Sequence, residues 1–495
     1  MSLKKETNIE NSQIPEQIIC ISEKFKENGY EIYLVGGCVR DLLLGEDPKD
    51  WDFTTNATPE EIQGLYGDSV YENKFGTVGI KTRSEDETLK IVEITPYRTE
   101  STYSDKRRPD EVKFSKNLED DLKRRDFTMN AIAYDINDKV IKDIYKGQED
   151  IRRGIIRTVG SPDERFREDA LRIMRAIRFS AQLGFTIEQK TLESIVTNSD
   201  LMKNISKERT GDEFSKIIKT KNPMIGLVMA EKLNILGFIS EKLKNMVGVD
   251  QNKQAHKYDV WEHSLRSLQH AADKGYSYEI RLSALFHDIG KPPTKKIIQG
   301  ETTYYNHEIV GANVTRETLK NLCFPKETVK KVENLVRNHM FFADTDQITL
   351  SAVRRLLARV GKENIWDLIN LRICDRIGTG RPKEEPYRLR KFQSMIEEVI
   401  RDPVSVSMLK IDGKYIIEKF DIKPGPKIGY ILNALLEDVL EQPENNNEMF
   451  LVKHTEKLLE LEEEDLIRIG NKSKEKIEEA DKKEVRKIRS KRKVK

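Results

Sequence analysis

Two carboxylates one residue apart, Asp50 and Asp52 in the run DWDF, are the strongest chemical signal in this sequence. On a strand, alternate side chains share a face, so the two acids project together while Trp51 and Phe53 point into the core. Acids set side by side repel. A hard cation such as Mg²⁺, shared with substrate phosphates, is the usual reason to tolerate them. Glu93, in LKIVEITPYR on a later expected strand, is a third acid able to complete such a site. Upstream, the run EIYLV stops at Gly36-Gly37 and turns into an expected helix. That turn leaves backbone N–H groups free at the helix start, with no side chain to keep a phosphate away. Arg40, in the first turn, adds a positive charge with the fork geometry that suits phosphate oxygens. A Gly-Gly turn alone is an ordinary tight turn, and a bare Asp-x-Asp is two solvated acids. Together they describe a place for a triphosphate.

A second cluster lies far downstream. Six of the seven histidines, His256, His263, His270, His287, His307 and His339, fall in one stretch. His287 is followed directly by Asp288, with His263 upstream and Asp375 downstream. Imidazoles mixed with carboxylates are the donor set that catalytic divalent metals favour, so this stretch is a separate candidate centre.

The elements that must position these groups change character along the chain. A helix is expected from Gln17 to Asn28, followed by strands over EIYLV, DWDFTT, VGIKT and LKIVEIT, which make a small α/β unit. From Ile151 onward apolar residues recur at helical spacing, as in EDALRIMRAIRFSAQLGF. A further unit from RDPVSVSMLKIDG to about residue 460 is punctuated by Pro424-Gly425-Pro426. From Asn471 the chain is nearly all charged and cannot bury a core by itself. The expected class is α+β and multidomain. Its division is a head over 1–150, a helical neck and body over 151–250, a histidine-bearing domain over 251–380, a helical tail over 381–470 and a basic tail over 471–495.

The composition permits this and excludes other classes. With 495 residues, 37% hydrophobic and 34% charged, the chain can build several cores. Its 86 basic and 84 acidic residues leave a formal +2, so contact with a nucleic acid has to come from local patches. No run approaches the roughly 18 apolar residues of a spanning helix, and the N-terminus has no apolar signal core, so a cytoplasmic protein without membrane contact is expected. Four cysteines without a CxxC pair argue against a zinc ribbon or a disulfide framework.

With Gly36, Gly37, Arg40, Asp41, Gly45, Asp50 and Asp52, then RRDFTMNA at 124–131 and EDALR at 168–172, the chain resembles the class II tRNA nucleotidyltransferase and bacterial poly(A) polymerase superfamily. The resemblance implies a polymerase-β-like head followed by helical neck, body and tail. It also implies in-line attack of an RNA 3′-hydroxyl on the α-phosphate of a nucleoside triphosphate. Asp50 and Asp52 would hold two Mg²⁺ ions about 3.5–4 Å apart. Arg125 and Asp126 would contact triphosphate and ribose, and Asn130, Arg175 and Arg178 would join the nucleotide-binding set. Asp169 and Arg172, three apart on an expected helix, share a face and form one acceptor and one donor array. Cytosine and adenine match that order and guanine and uracil oppose it, although an intrahelical salt bridge is the alternative.

EDALR occurs in both branches of the superfamily, so poly(A) addition is the second reading. NKFGTVGIK at 73–81 resembles the CCA-adding branch, which implies tRNA, CTP and ATP as partners. RTESTYSDKRRPDEVKF at 98–114 resembles the family's flexible loop. Contacts to tRNA in body and tail have no readable motif, and phosphate recognition by scattered Lys and Arg is expected. The downstream cluster resembles the HD phosphohydrolase family. It implies a metal centre of His263, His287, Asp288 and Asp375, with His307 and His339 allowing a second ion, and Lys291 approaching a phosphate. Mg²⁺ or a divalent transition metal would serve hydrolysis that trims or heals RNA 3′ ends. A third reading makes the chain an HD metallophosphohydrolase whose head binds RNA.

Overall fold

The computed structural model describes residues 9, 13–71, 76–100, 112–251, 257–298, 301–341, 348–462, 465–466 and 468. Residues 73–75 of NKFGTVGIK, most of the segment 98–114, His256 and the basic tail from 471 lie outside the described residues. The chain divides into two compact units, residues 1–244 with 321–324, and residues 245–320 with 325–495.

The first unit opens with α1 (Glu16–Glu27), which buries Ile18, Ile21 and Phe25 along one face. A seven-stranded mixed sheet follows. Its members are β1 (Ile32–Val35), β2 (Asp52–Thr55), β3 (Ser69–Tyr71), β4 (Val78–Lys81) and β5 (Ile91–Pro96). A separate hairpin pairs β6 (Arg98–Glu100) with β7 (Val112–Phe114), and the sheet resumes with β8 (Ala133–Asp135) and β9 (Val140–Lys142). The spatial order is β3-β4-β5-β2-β1-β8-β9. Only β2 and β5 run parallel among these pairings, with Asp52 opposite Glu93. The core of the sheet is apolar, with Leu34, Phe53 and Ile94 essentially inaccessible.

Between β1 and β2 lies α2 (Gly37–Leu44), entered through Gly36 at φ 86°, ψ −132° and left through Gly45 in the left-handed region. Only glycine adopts the first of these backbone angles without strain. The helix α3 (Pro59–Leu65) starts on a capping box between Thr58 and Glu61. Short helices α4 (Leu118–Lys123), α5 (Gly147–Arg153) and α6 (Pro162–Glu168) then lead into α7 (Leu171–Leu183). Beyond it come α8 (Gln189–Asn198), α9 (Lys207–Lys219) and α10 (Pro223–Lys232). The last two pack against α7. Short helices α11 (Leu236–Ile239) and α12 (Glu241–Lys244) close the unit.

Two local expectations need correction. The strand over DWDFTT begins at Asp52, so Asp50 sits in the bend before it. β1 pairs with β2 only from Leu34 opposite Phe53, and Gly36 then turns the chain away, leaving Asp50 without a neighbour in the ladder. Asp169 is not on the same helix as Arg172. It is extended at φ −146°, ψ 102° between α6 and α7. There its carboxylate accepts the Leu171 N–H at 3.1 Å, satisfying a donor at the start of α7.

The second unit is helical apart from a small hairpin. Its helices are α13 (Val260–Asp273), α14 (Tyr278–Phe286), α15 (Lys291–Thr294), α16 (His307–Asn321), α17 (Lys326–Asn338), α18 (Leu350–Val360) and α19 (Ile365–Gly378). These are followed by α20 (Tyr387–Val399), α21 (Gly413–Phe420), α22 (Pro426–Glu441) and α23 (Glu448–Leu459). One core gathers Ile280, Leu357, Ile369 and Phe392, and a second gathers Ile416, Ile431, Leu435 and Leu451. The α+β class expected from the sequence is what the chain adopts. Among the described residues no helix is long and apolar enough to cross a membrane.

Candidate active site

The glycine turn, the acids and the arginines of the first unit meet on an open cleft of about 2500 Å³. A Cβ on Gly36 would stand 3.3 Å from Arg125 Nη1 and 3.9 Å from Asp52 Oδ2. One on Gly37 would stand 3.7 Å from Arg40 Nη2 and 3.8 Å from Asp50 Oδ1. Groups from three sequence motifs therefore converge on one turn. Trp51 and Phe53 are buried, as the alternation predicts. Burial pushes the Asp52 carboxyl up to about 7, Asp50 and Glu93 add to the rise, and Arg125 opposes it. A carboxyl that resists ionisation beside two further acids is a donor set suited to a divalent cation, which would relieve the repulsion on binding.

The wall of the cleft is a chain of charged and polar groups. Arg40, nearly inaccessible, donates from Nε to Asp41 at 2.9 Å and from Nη1 to Asn130 Oδ1 at 2.8 Å. Asn130 donates to Asp126 at 3.2 Å, and Arg175 Nε donates to the other Asp126 oxygen at 2.7 Å. Burial would raise the Asp126 carboxyl, but the Arg175 guanidinium and the hydrogen bonds from Asn130 and Arg175 hold it at about 2. Arg178 pairs with buried Glu213 at 3.0 Å and lies 4.3 Å from the centre of the Phe179 ring. Asp169 and Arg172 both line the cleft but take separate partners. Asp169 pairs with Arg209 at 2.7 Å. Arg172 donates to Glu168 at 2.6 Å and to the carbonyls of Arg165 and Arg124 at 3.1 and 3.0 Å.

Reading the sequence alone misses Asp121, Arg209 and Glu213. Asp121 is fully buried and holds Arg124 at 2.6 Å and Arg125 at 3.0 Å. Its spacing of three and four from those arginines is a legible signal. No comparable spacing ties Arg209 or Glu213 to their partners on distant stretches.

In the second unit the expected ligands gather in one cluster, several of them at helix ends. His287 and His339 follow the last residues of α14 and α17, and His307 opens α16. His263 on α13 and Asp375 on α19 face them. Two donor groups result, His263, His287 and Asp288, and Asp288, His307 and His339, with Asp288 common to both. Asp375 Oδ1 lies 3.3 Å from His263 Nε2 and 3.8 Å from His287 Nε2. Nδ1 of His287, His307 and His339 faces the carbonyl of Ala284, Tyr304 and Val336 at 2.9, 2.9 and 2.7 Å. Those carbonyls assign the proton to Nδ1 and leave Nε2 as an acceptor. Yet Nε2 of His263 and His287 lie 2.9 Å apart, and those of His307 and His339 lie 3.3 Å apart. The lone pairs of His307 and His339 brought that close fit a shared electrophile, and His263 and His287 converge on the same Asp288, so the residues suit divalent metal. Burial pushes the His339 imidazole down to about 3, which favours the neutral ligand form. Lys291 donates to Asp288 at 2.7 Å and to Gln251 at 2.6 Å.

Such a head, with an HD-type centre on a separate unit, defines a nucleotidyltransferase carrying an HD domain. Family models agree: the Poly A polymerase head domain matches residues 32–157, a probable RNA and SrmB-binding site of polymerase A matches 184–246, and the HD domain matches 260–377. The CCA-adding enzyme of Ligilactobacillus salivarius is 33% identical over 442 residues, covering 89% of this chain and 96% of that one. That of Lactobacillus helveticus is 48% identical over 198 residues, or 40% of this chain and 48% of the relative. The crystal structure of the Bacillus stearothermophilus CCA-adding enzyme in complex with CTP superposes with a TM-score of 0.67 at 28% identity, covering 89% and 97% of the two chains. The chain belongs to the CCA-adding enzyme family.

Proposed function

We propose that this chain adds C, C and A to the 3′ end of tRNA from CTP and ATP, with no nucleic-acid template. The observation that carries this is the convergence of Asp50, Asp52, Arg125 and the Gly36-Gly37 turn, within reach of the Glu93 strand. Mg²⁺ bound by Asp50 and Asp52, with Glu93 beside them, would activate the RNA hydroxyl and neutralise the pyrophosphate that leaves. The turn offers the N–H groups at the start of α2, with no side chain in the way of a triphosphate. Arg125, steered by buried Asp121, directs its charge to the same place. Arg40, Asn130, Asp126 and Arg175 form one braced wall for the nucleotide, and Asp169 and Arg172 present an acceptor and a donor to the base edge.

The HD centre supports a second, independent activity. Its Nε2 atoms around Asp288 suit two divalent ions, Mg²⁺ or a transition metal, and Lys291, paired with Asp288, would meet a phosphate brought to them. Its proposed reaction is metal-assisted hydrolysis of phosphoesters at RNA 3′ ends. The division is a head over 1–150, neck and body over 151–250, HD domain over 251–380 and helical tail over 381–470, in a cytoplasmic protein.

Incubating tRNA that lacks its CCA end with CTP, ATP and Mg²⁺, read on a sequencing-resolution gel, tests the proposal. Defined three-nucleotide extension is expected. A ladder of A residues would replace it with poly(A) addition, and shortening or binding without extension would favour the HD reading.

A further inference from the structure

Resting on the base-reading proposal for Asp169, we infer that Arg209 is a positioning residue for nucleotide selection. It fixes the acceptor half of the reader from a different helix. The two oxygens of Asp169 are held separately. Oδ1 accepts the Leu171 N–H at 3.1 Å, and Oδ2 accepts Arg209 Nη2 at 2.7 Å. A carboxylate fastened at both oxygens cannot rotate about its terminal bond. Each oxygen keeps a further lone pair for an exocyclic amino group.

The second observation concerns how Arg209 is itself held. It lies in the first turn of α9, where its N–H reaches the Ser206 cap at 3.4 Å. One turn on, Glu213 is nearly inaccessible and pairs with Arg178 of α7 at 3.0 Å. Residues four apart share a helix face, so α9 presents a cation and then an anion to the neck. Asp169 and Arg178 answer with the complementary order. Apolar packing brings the helices together: Ile217 of α9, with Ile177 and Ala181 of α7, closes around Gly226 of α10. Arg209 Nη1 is buried and has no hydrogen-bond partner among the described residues, although it belongs to a guanidinium on the cleft wall.

Asp169 distinguishes an amino group from a carbonyl only if its acceptor stays at a fixed separation from the Arg172 donor. Freed from Arg209, the carboxylate can swing or admit water, and a base with the opposite order meets less opposition. Selectivity suffers more than transfer itself.

The test compares kcat/KM for CTP against UTP, and for ATP against GTP, in full-length Asp169→Ala, Arg209→Ala and Arg209→Lys, with thermal unfolding of each. In Arg209→Ala the correct-to-wrong ratio should fall roughly tenfold or more. Arg209→Lys, which keeps the charge but not the planar fork, should recover part of it. Should Arg209→Ala fold poorly, an intermediate loss in Arg209→Lys carries the result. A parental ratio in folded Arg209→Ala, or in Arg209→Lys where the alanine variant does not fold, alongside a collapsed ratio in Asp169→Ala, would overturn the positioning role alone. A parental ratio in Asp169→Ala would overturn base reading, and this inference with it.

Discussion

Asp52 on β2 lies directly opposite Glu93 on β5 in the only parallel pairing of the described head sheet. That register sets acids from two stretches about forty residues apart side by side. It also makes the metal-free site strained, since burial and two neighbouring acids raise the Asp52 carboxyl to about 7. The folded chain holds this proton to about pH 7, whereas an unfolded aspartate releases it near pH 3.9. The stabilisation is therefore complete below about pH 4 and is lost as pH rises to about 7. Asp52→Asn should flatten that slope, stabilise the metal-free protein by about 1 kcal/mol near neutral pH, and reduce addition by about 10²-fold or more. Thermal unfolding across pH with and without MgCl₂, beside primer extension, checks all three. A variant that Mg²⁺ still stabilises as well as the parent would remove Asp52 from the metal site.

Arg175 and Asp126 make the opposite case, a carboxylate kept ionised by its partner. Its hold at about 2, against about 3.9 in an unfolded chain, gives stability that is present above about pH 4 and lost as pH falls through about 2. Arg175→Met leaves buried Asp126 with only the Asn130 amide and the Phe127 N–H as donors. Because the Arg175 side chain is 33% exposed, the expected cost is about 2 kcal/mol, short of that for a fully buried pair. Urea unfolding at pH 7 measures it, and acid unfolding should start at a higher pH than in the parent. Equal acid midpoints would show that the pair contributes nothing.

At the second centre, Asp288 is the one ligand common to both donor groups. Asp288→Ala should therefore remove all bound metal, whereas His339→Ala should remove only the ion held by Asp288, His307 and His339. Elemental analysis of the purified proteins reads this stoichiometry directly. Both variants should lose hydrolysis of 2′,3′-cyclic phosphate ends and retain nucleotide addition. Metal-free parent protein that hydrolyses no phosphoester would make the cluster structural.

Much of this was legible because it is local. Gly36-Gly37 and the buried Trp51 and Phe53 follow from turn chemistry and strand alternation within one short run. His287-Asp288 and its companions are identified by residue type, and the helices bring them together as expected. What stayed hidden is long-range or lies at element ends. Asp50 leaves the ladder because β1 ends at Val35, which no pattern within DWDF reveals. Asp169 and Arg172 have helical spacing in a helical-looking run, yet the chain breaks between α6 and α7. Hydrophobic periodicity continues across that junction and masks it. The network from Asp41 through Arg40, Asn130 and Asp126 to Arg175 joins three motifs whose contact only the tertiary fold creates.

That break changes what is expected of Arg172. Instead of pairing with Asp169, its guanidinium spans Glu168 and the carbonyls of Arg165 and Arg124. These acceptors come from three directions, and a planar fork with five donors can meet them while an ammonium cannot. Arg172→Ala would leave Glu168 and two carbonyls short of donors and would confuse a lost reader with a damaged junction. Arg172→Lys keeps the charge in a mostly buried site and changes only the fork, so it is the cleaner probe. Losing one half of the donor and acceptor pattern should cost about 1–3 kcal/mol for the correct base, which is about 5- to 150-fold in selectivity. The measurement is the ratio of CTP and ATP incorporation to UTP and GTP incorporation, with circular dichroism to confirm that the neck helix is intact. A folded Arg172→Lys enzyme that excludes UTP and GTP as well as its parent would leave Arg172 as a brace between α4, α6 and α7, with base selection carried by other groups.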